Sequence, residues 1–380
     1  MNKLFGLFVS VLSCIALSGQ VQSDYVPLKE LFKKDFLIGV AVNSRSITGD
    51  AGKFVTENFN TMTCENEMKP QSLLYFPRQS PMGAPQAPIK LDTINGLVFN
   101  WAAADRIVAF AKANNMMMRG HTLVWYQQTP AAFFTNAEGK DLTKDQLYAR
   151  LRVYMTAVMT HFKDAVFCWD VVNEAISDNE GEIYRTNSPW YRICGKDYVG
   201  TAFRIARSVN PNVKLVYNDY NLVNPAKLER ACTMLKELLD AGVPIDAVGL
   251  QGHWSNDITA EMLQTLIDRI TALGVKIQIT ELDVTTYTSY HGDGAKHQVQ
   301  ETQPYTKQVE DNLSDSYKRF FEVLHKNAGK ITSVTFWGLD DGRTWLSGFP
   351  VRGRTDYPLL FDKELKPKKA YYSVKSVYMK

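Results

Sequence analysis

Glu174 and Glu281 are the residues most able to do chemistry, because of where each sits. Glu174 ends the run FCWDVVNEA (167–175) and Glu281 ends VKIQITELD (275–283). Each run is apolar, β-branched or aromatic until it stops at polar residues, the pattern of a strand buried on both faces. Each carboxylate is therefore expected where a strand leaves the core, held by rigid backbone. On parallel strands of one sheet, both would lie on the same rim. Two carboxyls facing each other across a cleft are the minimum apparatus for cleaving a glycosidic bond. A separation of roughly 5–5.5 Å would leave no room for a separate attacking water and would dictate a covalent, retaining route.

Similar residues gather behind the other expected strands. Glu65, Asn66 and Lys69 follow the second; His121, Trp125 and Gln128 follow the third. Asn173 precedes Glu174 on the fourth, Asn218, expected to contact substrate, and Asp219 end the fifth, and Gln251 and His253 follow the sixth. Asp283 lies just past Glu281, and Trp337 ends the eighth. Taken singly, each has an ordinary explanation: a solvated loop acid, a helix-start anion, a satisfied core histidine, a packing tryptophan, a surface lysine. Their repetition at seven of eight strand ends is what points to a shared rim.

The elements that must position them alternate. Strands are expected over 36–42, 59–64, 116–122, 167–175, 213–218, 245–250, 275–283 and 331–337. Helices are expected over 99–114, 143–162, 190–208, 225–241, 260–273, 311–327 and 368–378. Thr143 and Gln146 form a capping-box pair at the start of the second helix. Strand–helix alternation forces parallel pairing through crossover helices. Eight units predict an α/β fold, a single-domain (β/α)8 TIM barrel whose site lies at the C-terminal ends of the strands. Residues 70–96 contain Pro70, Pro77, Pro81, Pro85 and Pro88 and are expected to form a long irregular loop on that rim.

The chain has 380 residues, is 45% hydrophobic and carries a net charge of +3, too little to imply a nucleic-acid partner. Residues 1–23 read as a signal peptide: Lys3, an apolar run over 4–17, then small residues at Ala16-x-Ser18 and Val21-x-Ser23. That predicts export, with residues 24–380 as the catalytic domain and no membrane span. Cys14, in VLSC, raises a lipoprotein alternative; bulky Leu12 and the apolar run continuing past Cys14 argue against it. Cys64 and Cys168 read as small buried apolar residues, and the disulfide pairing of the remaining cysteines stays open. No CxxC or Cys/His ligand spacing supports a metal site. No cofactor is expected, and a monomer is.

The motifs TCENEMK (63–69), RGHTLVW (119–125), WDVVNEA (169–175), YNDYN (217–221), LQGHW (250–254), ITELDV (279–284) and FWGLDD (336–341) together resemble glycoside hydrolase family 10, the endo-β-1,4-xylanases. The resemblance covers nearly the whole chain beyond the leader. It implies hydrolysis of internal bonds in xylan with retention at the anomeric carbon, and xylan and xylo-oligosaccharides as partners. It implies Glu174 as general acid/base and Glu281 as nucleophile. Asn173 would bond the sugar 2-hydroxyl. His253, backed by Asp283, would orient the nucleophile, with Gln251 in the same network. It further implies Glu65, Asn66, Lys69, His121, Trp125 and Gln128 on the non-reducing side, and Trp337 and Trp345 around the sugar at the cleaved bond. Three departures stand out: Tyr126 where the family usually has histidine, Pro70 where it usually has tryptophan, and the long 70–96 connection.

Two rival readings differ in class. A xylan-binding barrel without catalysis would not need both glutamates and His253. A metal-dependent hydrolase using His121, His253 and Asp219 lacks the HxH or HExxH pairing that would support it.

Overall fold

The computed structural model describes residues 24–76, 91–289, 291 and 298–379. The signal-peptide reading of 1–23, with Cys14, lies outside them. So do residues 77–90, the middle of the proline-rich stretch.

Eight parallel strands close on themselves: β1 (Leu37–Val42), β2 (Thr61–Cys64), β3 (Met117–Gly120), β4 (Val166–Asn173), β5 (Lys214–Asp219), β6 (Ala247–Leu250), β7 (Lys276–Thr285) and β8 (Ile331–Phe336). Each pairs with the next, and β8 returns to β1 in register Leu37↔Ser333 through Val40↔Phe336, so the ring has no open edge. The strands are buried along nearly their whole length, which is why they read as apolar runs rather than as alternating ones. Helices α1 (Gly49–Asn58), α2 (Ala102–Ala113), α3 (Lys144–His161), α4 (Asp197–Val209), α5 (Pro225–Asp240), α6 (Ala260–Thr271), α7 (Lys307–Lys326) and α8 (Lys369–Tyr378) separate the strands or close the chain.

Glycines occur where the interior is tight. A Cβ at Gly120 would sit 2.2 Å from the Trp169 ring, and one at Gly249 would sit 2.3 Å from Asn218 Oδ1. Thr143 caps α3 as expected: its side chain accepts from Gln146 N–H, and Gln146 Oε1 accepts from Thr143 N–H at 2.9 Å.

Three local expectations change. The helix expected over 190–208 is two, Pro189–Cys194 and α4, broken where Gly195 takes φ +63°. The stretch 70–96 is not wholly irregular. Pro70 opens a helical turn, Pro70–Leu73, as proline can at a first helical position. Asp92–Ile94 and Leu97–Phe99 form a hairpin across Asn95–Gly96, both at positive φ. The helix expected from 99 therefore starts at Ala102. Cys64, Cys168, Cys194 and Cys232 are all buried and unpaired with one another.

Candidate active site

Where β4 ends, its last residue Asn173 stands in register with Asn218 at the end of β5. Glu174 then leaves the strand with φ +59°, a left-handed conformation that side chains other than glycine adopt at a cost of about 1–3 kcal/mol. The surroundings hold that turn from both sides. Its N–H donates to the Asn218 carbonyl at 2.8 Å, and its carbonyl accepts from Arg185 Nε at 3.2 Å. Ala175 N–H donates to the Tyr217 hydroxyl at 3.1 Å, and that hydroxyl donates to Asp219.

The Glu174 carboxyl is buried in the cleft wall. Oε2 accepts from Trp125 Nε1 at 2.9 Å, and Oε1 accepts from Gln251 Nε2 at 2.9 Å and Asn173 Nδ2 at 3.1 Å. Burial raises its proton affinity above the usual carboxyl range, and the charges of Asp219 and Glu281 add to this. The donors Gln251 and Trp125 offset it only in part. Burial, rather than the neighbouring glutamate, is the leading cause.

Glu281 has the opposite environment. Its N–H donates to the Gln251 carbonyl at 2.6 Å, which ties β7 to the end of β6. Oε1 accepts from Asn218 Nδ2 at 2.8 Å, and Oε2 lies 3.2 Å from His253 Nε2. His253 Nδ1 lies 3.0 Å from Asp283 Oδ1, and Asp283 Oδ2 accepts from Trp345 Nε1 at 2.8 Å. The short strand His253–Ser255 runs parallel to β7 with His253 paired to Asp283, so backbone register aligns this row. Burial disfavours charge on His253, but Asp283 and Glu281 on its two nitrogens outweigh burial and push its pKa up to about 10. Burial likewise works against charge on Glu281. The His253 hydrogen bond, with His121 and Lys69, overcomes it and holds the carboxyl down at about 2.

A chain of amides joins the two carboxyls. Asn218 Nδ2, bonded to Glu281, also donates to Asn173 Oδ1 at 2.8 Å, and Asn173 bonds Glu174. Thr280 Oγ1 donates to Asn218 Oδ1 at 2.6 Å and fixes which way that amide faces.

On the β2–β3 side, Lys69 Nζ donates to Gln128 Oε1 at 2.9 Å and Asn66 Oδ1 at 3.1 Å, 5.0 Å from the Trp125 ring centroid. Glu65 accepts from Asn43 at 3.0 Å, and His121 Nδ1 lies 2.9 Å from Asp170 Oδ2. Trp337 packs edge-on to the His121 and His253 rings. Glu65, Asn66, Lys69, His121, Trp125, Gln128, Trp337 and the two glutamates face one cleft of about 1080 Å³. A cleft of that size, with aromatic faces among amides and lysines and with Glu174 and Glu281 in unlike surroundings, suits a chain of sugars and acid–base chemistry at one bond.

Residues 27–377 match the family model described as Glycosyl hydrolase family 10. The chain belongs to glycosyl hydrolase family 10. It is 39% identical over 98% of its length to a beta-1,4-xylanase of Dictyoglomus thermophilum, covering 99% of that protein. It is 36% identical to endo-1,4-beta-xylanase B of Paenibacillus barcinonensis, over 93% of this chain and 99% of that one. Among solved structures, it resembles the xylanase XynB of Paenibacillus barcinonensis complexed with a conduramine derivative. There the TM-score is 0.82 at 34% identity, over 93% of this chain and 98% of that one. An endo-1,4-beta-xylanase from Caldicellulosiruptor owensensis aligns with a TM-score of 0.82 at 37% identity, over 92% and 99% of the two chains. The protein is thus a glycoside hydrolase.

Within this family 10 barrel, most residues expected at the site line the cleft: Glu65, Asn66, Lys69, His121, Trp125, Gln128, Asn173, Glu174, Gln251, His253, Glu281, Trp337 and Trp345. Asn218 and Asp283 do not. Both are fully buried behind the surface, so Asn218, expected to contact substrate, instead positions Asn173 and Glu281. The rival metal set is not assembled. His121 and His253 each face an aspartate, and Asp219 pairs with Lys227 at 3.2 Å.

Sequence reading missed two supports. Asp170, fully buried mid-strand, bridges His121 and Arg119. A charge inside the apolar run WDVVNE was the available signal. Arg185, which clamps the Glu174 carbonyl and lies over the Tyr126 ring at 4.5 Å, follows no strand end and left no signal.

Proposed function

We propose that this protein is an endo-1,4-β-xylanase that cleaves internal bonds of xylan by retaining double displacement. The observation that carries the reading is the opposed surroundings of two buried carboxyls facing one cleft. Hydrogen bonds from His253 and Asn218 hold Glu281 as carboxylate, while burial raises the proton affinity of Glu174.

In the first step a Glu281 oxygen forms a bond to the anomeric carbon as the glycosidic C–O bond breaks. The Glu174 proton goes to the departing oxygen. Glu281 is then an ester and carries no charge, so one of the negative charges raising the Glu174 proton affinity vanishes. Glu174, now a carboxylate, takes a proton from water. The water oxygen bonds to the anomeric carbon, and Glu281 leaves as carboxylate. The names of the relatives support xylan as substrate, and the aromatic and amide lining of the cleft fits its rings and hydroxyls. We include in the proposal export directed by residues 1–23. Finding the protein retained, with residue 1 intact, in the cell that makes it would count against export.

The test of roles is chemical rescue. Glu174→Ala should lose about 10²–10⁴-fold on xylan. Azide should restore turnover of an activated aryl xylobioside and leave a β-xylobiosyl azide. An α-azide, or a variant as active as the parent on xylan, contradicts the assignment.

A further inference from the structure

One wall of the cleft is built by the loop after Glu174 and the first turns of α5. It carries three cations, two of which are committed within the protein. Arg185 Nη2 donates to Asp178 at 2.9 Å and to the Tyr220 hydroxyl at 2.9 Å. Lys227, almost wholly buried, lies 3.0 Å from Asp178 and 3.2 Å from Asp219, over the Tyr220 ring. Asp178 and Asp219 therefore answer Arg185 and Lys227 charge for charge.

Arg230 differs. It lines the cleft half-buried, and its Nη2 donates to the Ser177 carbonyl at 3.1 Å. No carboxylate among the described residues pairs with it. Glu182 on the same loop accepts instead from Ser177 Oγ at 3.2 Å and Asn179 Nδ2 at 3.3 Å. Glu180, the other acid of this lip, is exposed and forms no ion pair with Arg230. Arg230 Nε is closed off from solvent with no acceptor among the described residues. The guanidinium is thus oriented by one backbone carbonyl, while its Nη1 has no acceptor among those residues.

A neutral xylan backbone offers a fixed, unanswered cation nothing to pair with, but uronic acid branches carry a carboxylate. A guanidinium is the side chain best shaped to receive one. This wall follows Glu174 in the chain and is tied to it where Arg185 Nε donates to the Glu174 carbonyl, so it adjoins the group that in the proposed reaction protonates the departing sugar. We infer that Arg230 is a specificity residue that binds the carboxylate of a uronic acid branch carried there. This deepens the endo-xylanase reading of the same cleft and rests on it.

The test compares Arg230→Gln with the parent on two xylo-oligosaccharides of equal backbone length, one linear and one bearing a uronic acid branch. The quantity read is the ratio of kcat/KM, branched over linear, which normalises for any loss of folded enzyme. The ratio should fall about five- to tenfold in Arg230→Gln, as for loss of a charge-assisted hydrogen bond at a half-exposed site. In the parent it should fall similarly when the branch carboxyl is reduced to the alcohol. A ratio unmoved by Arg230→Gln, or equal for acid and alcohol, overturns the inference. Absence of parent turnover on the linear substrate would instead overturn the endo-xylanase reading.

Discussion

At the scale of single residues, the site works by giving two identical side chains unlike surroundings. His253 is the residue on which that difference most depends, since it can donate to Glu281 and Asp283 together only as an imidazolium. His253→Gln keeps a donor for Glu281 but removes the charge. The acid limb of kcat/KM against pH should then move upward, toward the ordinary glutamate range, with the alkaline limb moving less. An acid limb that stays in place would show that Asn218 and Lys69 suffice to ionise Glu281. The positions of Glu174 and Glu281 at strand ends, with the polar residues that flank them, were legible in the sequence because polar residues interrupting apolar runs stand out one by one. Asn218 was found but its burial was not, since a strand-end amide reads the same whether it faces the cleft or the next side chain. Arg185 was not legible, because it reaches the site through the fold of a loop and not from a strand.

At the scale of elements, the barrel sets the site by register. Asn173 opposite Asn218, and His253 opposite Asp283, are backbone pairings that bring four functional side chains into one row. Gly249 lies beside that row. Gly249→Ala would place a methyl 2.3 Å from Asn218 Oδ1 and 2.9 Å from Thr280, between two strands that cannot spread. Overpacking of this kind costs about 1–3 kcal/mol and should lower the melting temperature. Activity measured well below melting should fall as well, because the Asn218 amide must turn away from Glu281. A destabilised variant with full activity per folded molecule would separate Asn218 from catalysis. The strands themselves were readable within a residue or two from composition. The break at Gly195 and the hairpin over 92–99 were not. A single glycine within an amphipathic pattern and three-residue strands beside prolines give too little periodicity to resolve.

For the whole molecule, eightfold alternation was enough to predict closure, and closure is what brings β4 and β7 to share a rim although their glutamates lie far apart in sequence. The site also couples to the stability of the fold. The Glu281 pKa falls from 4.5 to about 2, so its contribution is complete above about 4.5 and is lost as pH falls through about 2. The His253 pKa rises from 6.5 to about 10, so its contribution is complete below about 6.5 and is lost as pH rises through about 10. The melting temperature should therefore be highest near pH 4.5–6.5 and decline on both sides. The alkaline decline should be shallower in His253→Gln. Calorimetric melts at fixed ionic strength would reveal this, and an identical alkaline slope in the two proteins would remove His253 from the balance.

The central claim is that Glu281 becomes covalently bonded to sugar, and labelling tests it most directly. A xylobioside fluorinated at the 2-position of the reacting sugar and bearing an activated leaving group should form the first intermediate and stall there. Mass spectrometry of the digested protein should then find one added 2-fluoro-xylobiosyl group, its leaving group lost, on the peptide containing Glu281. A label on any other residue, or inactivation without a label on that peptide, would contradict the account.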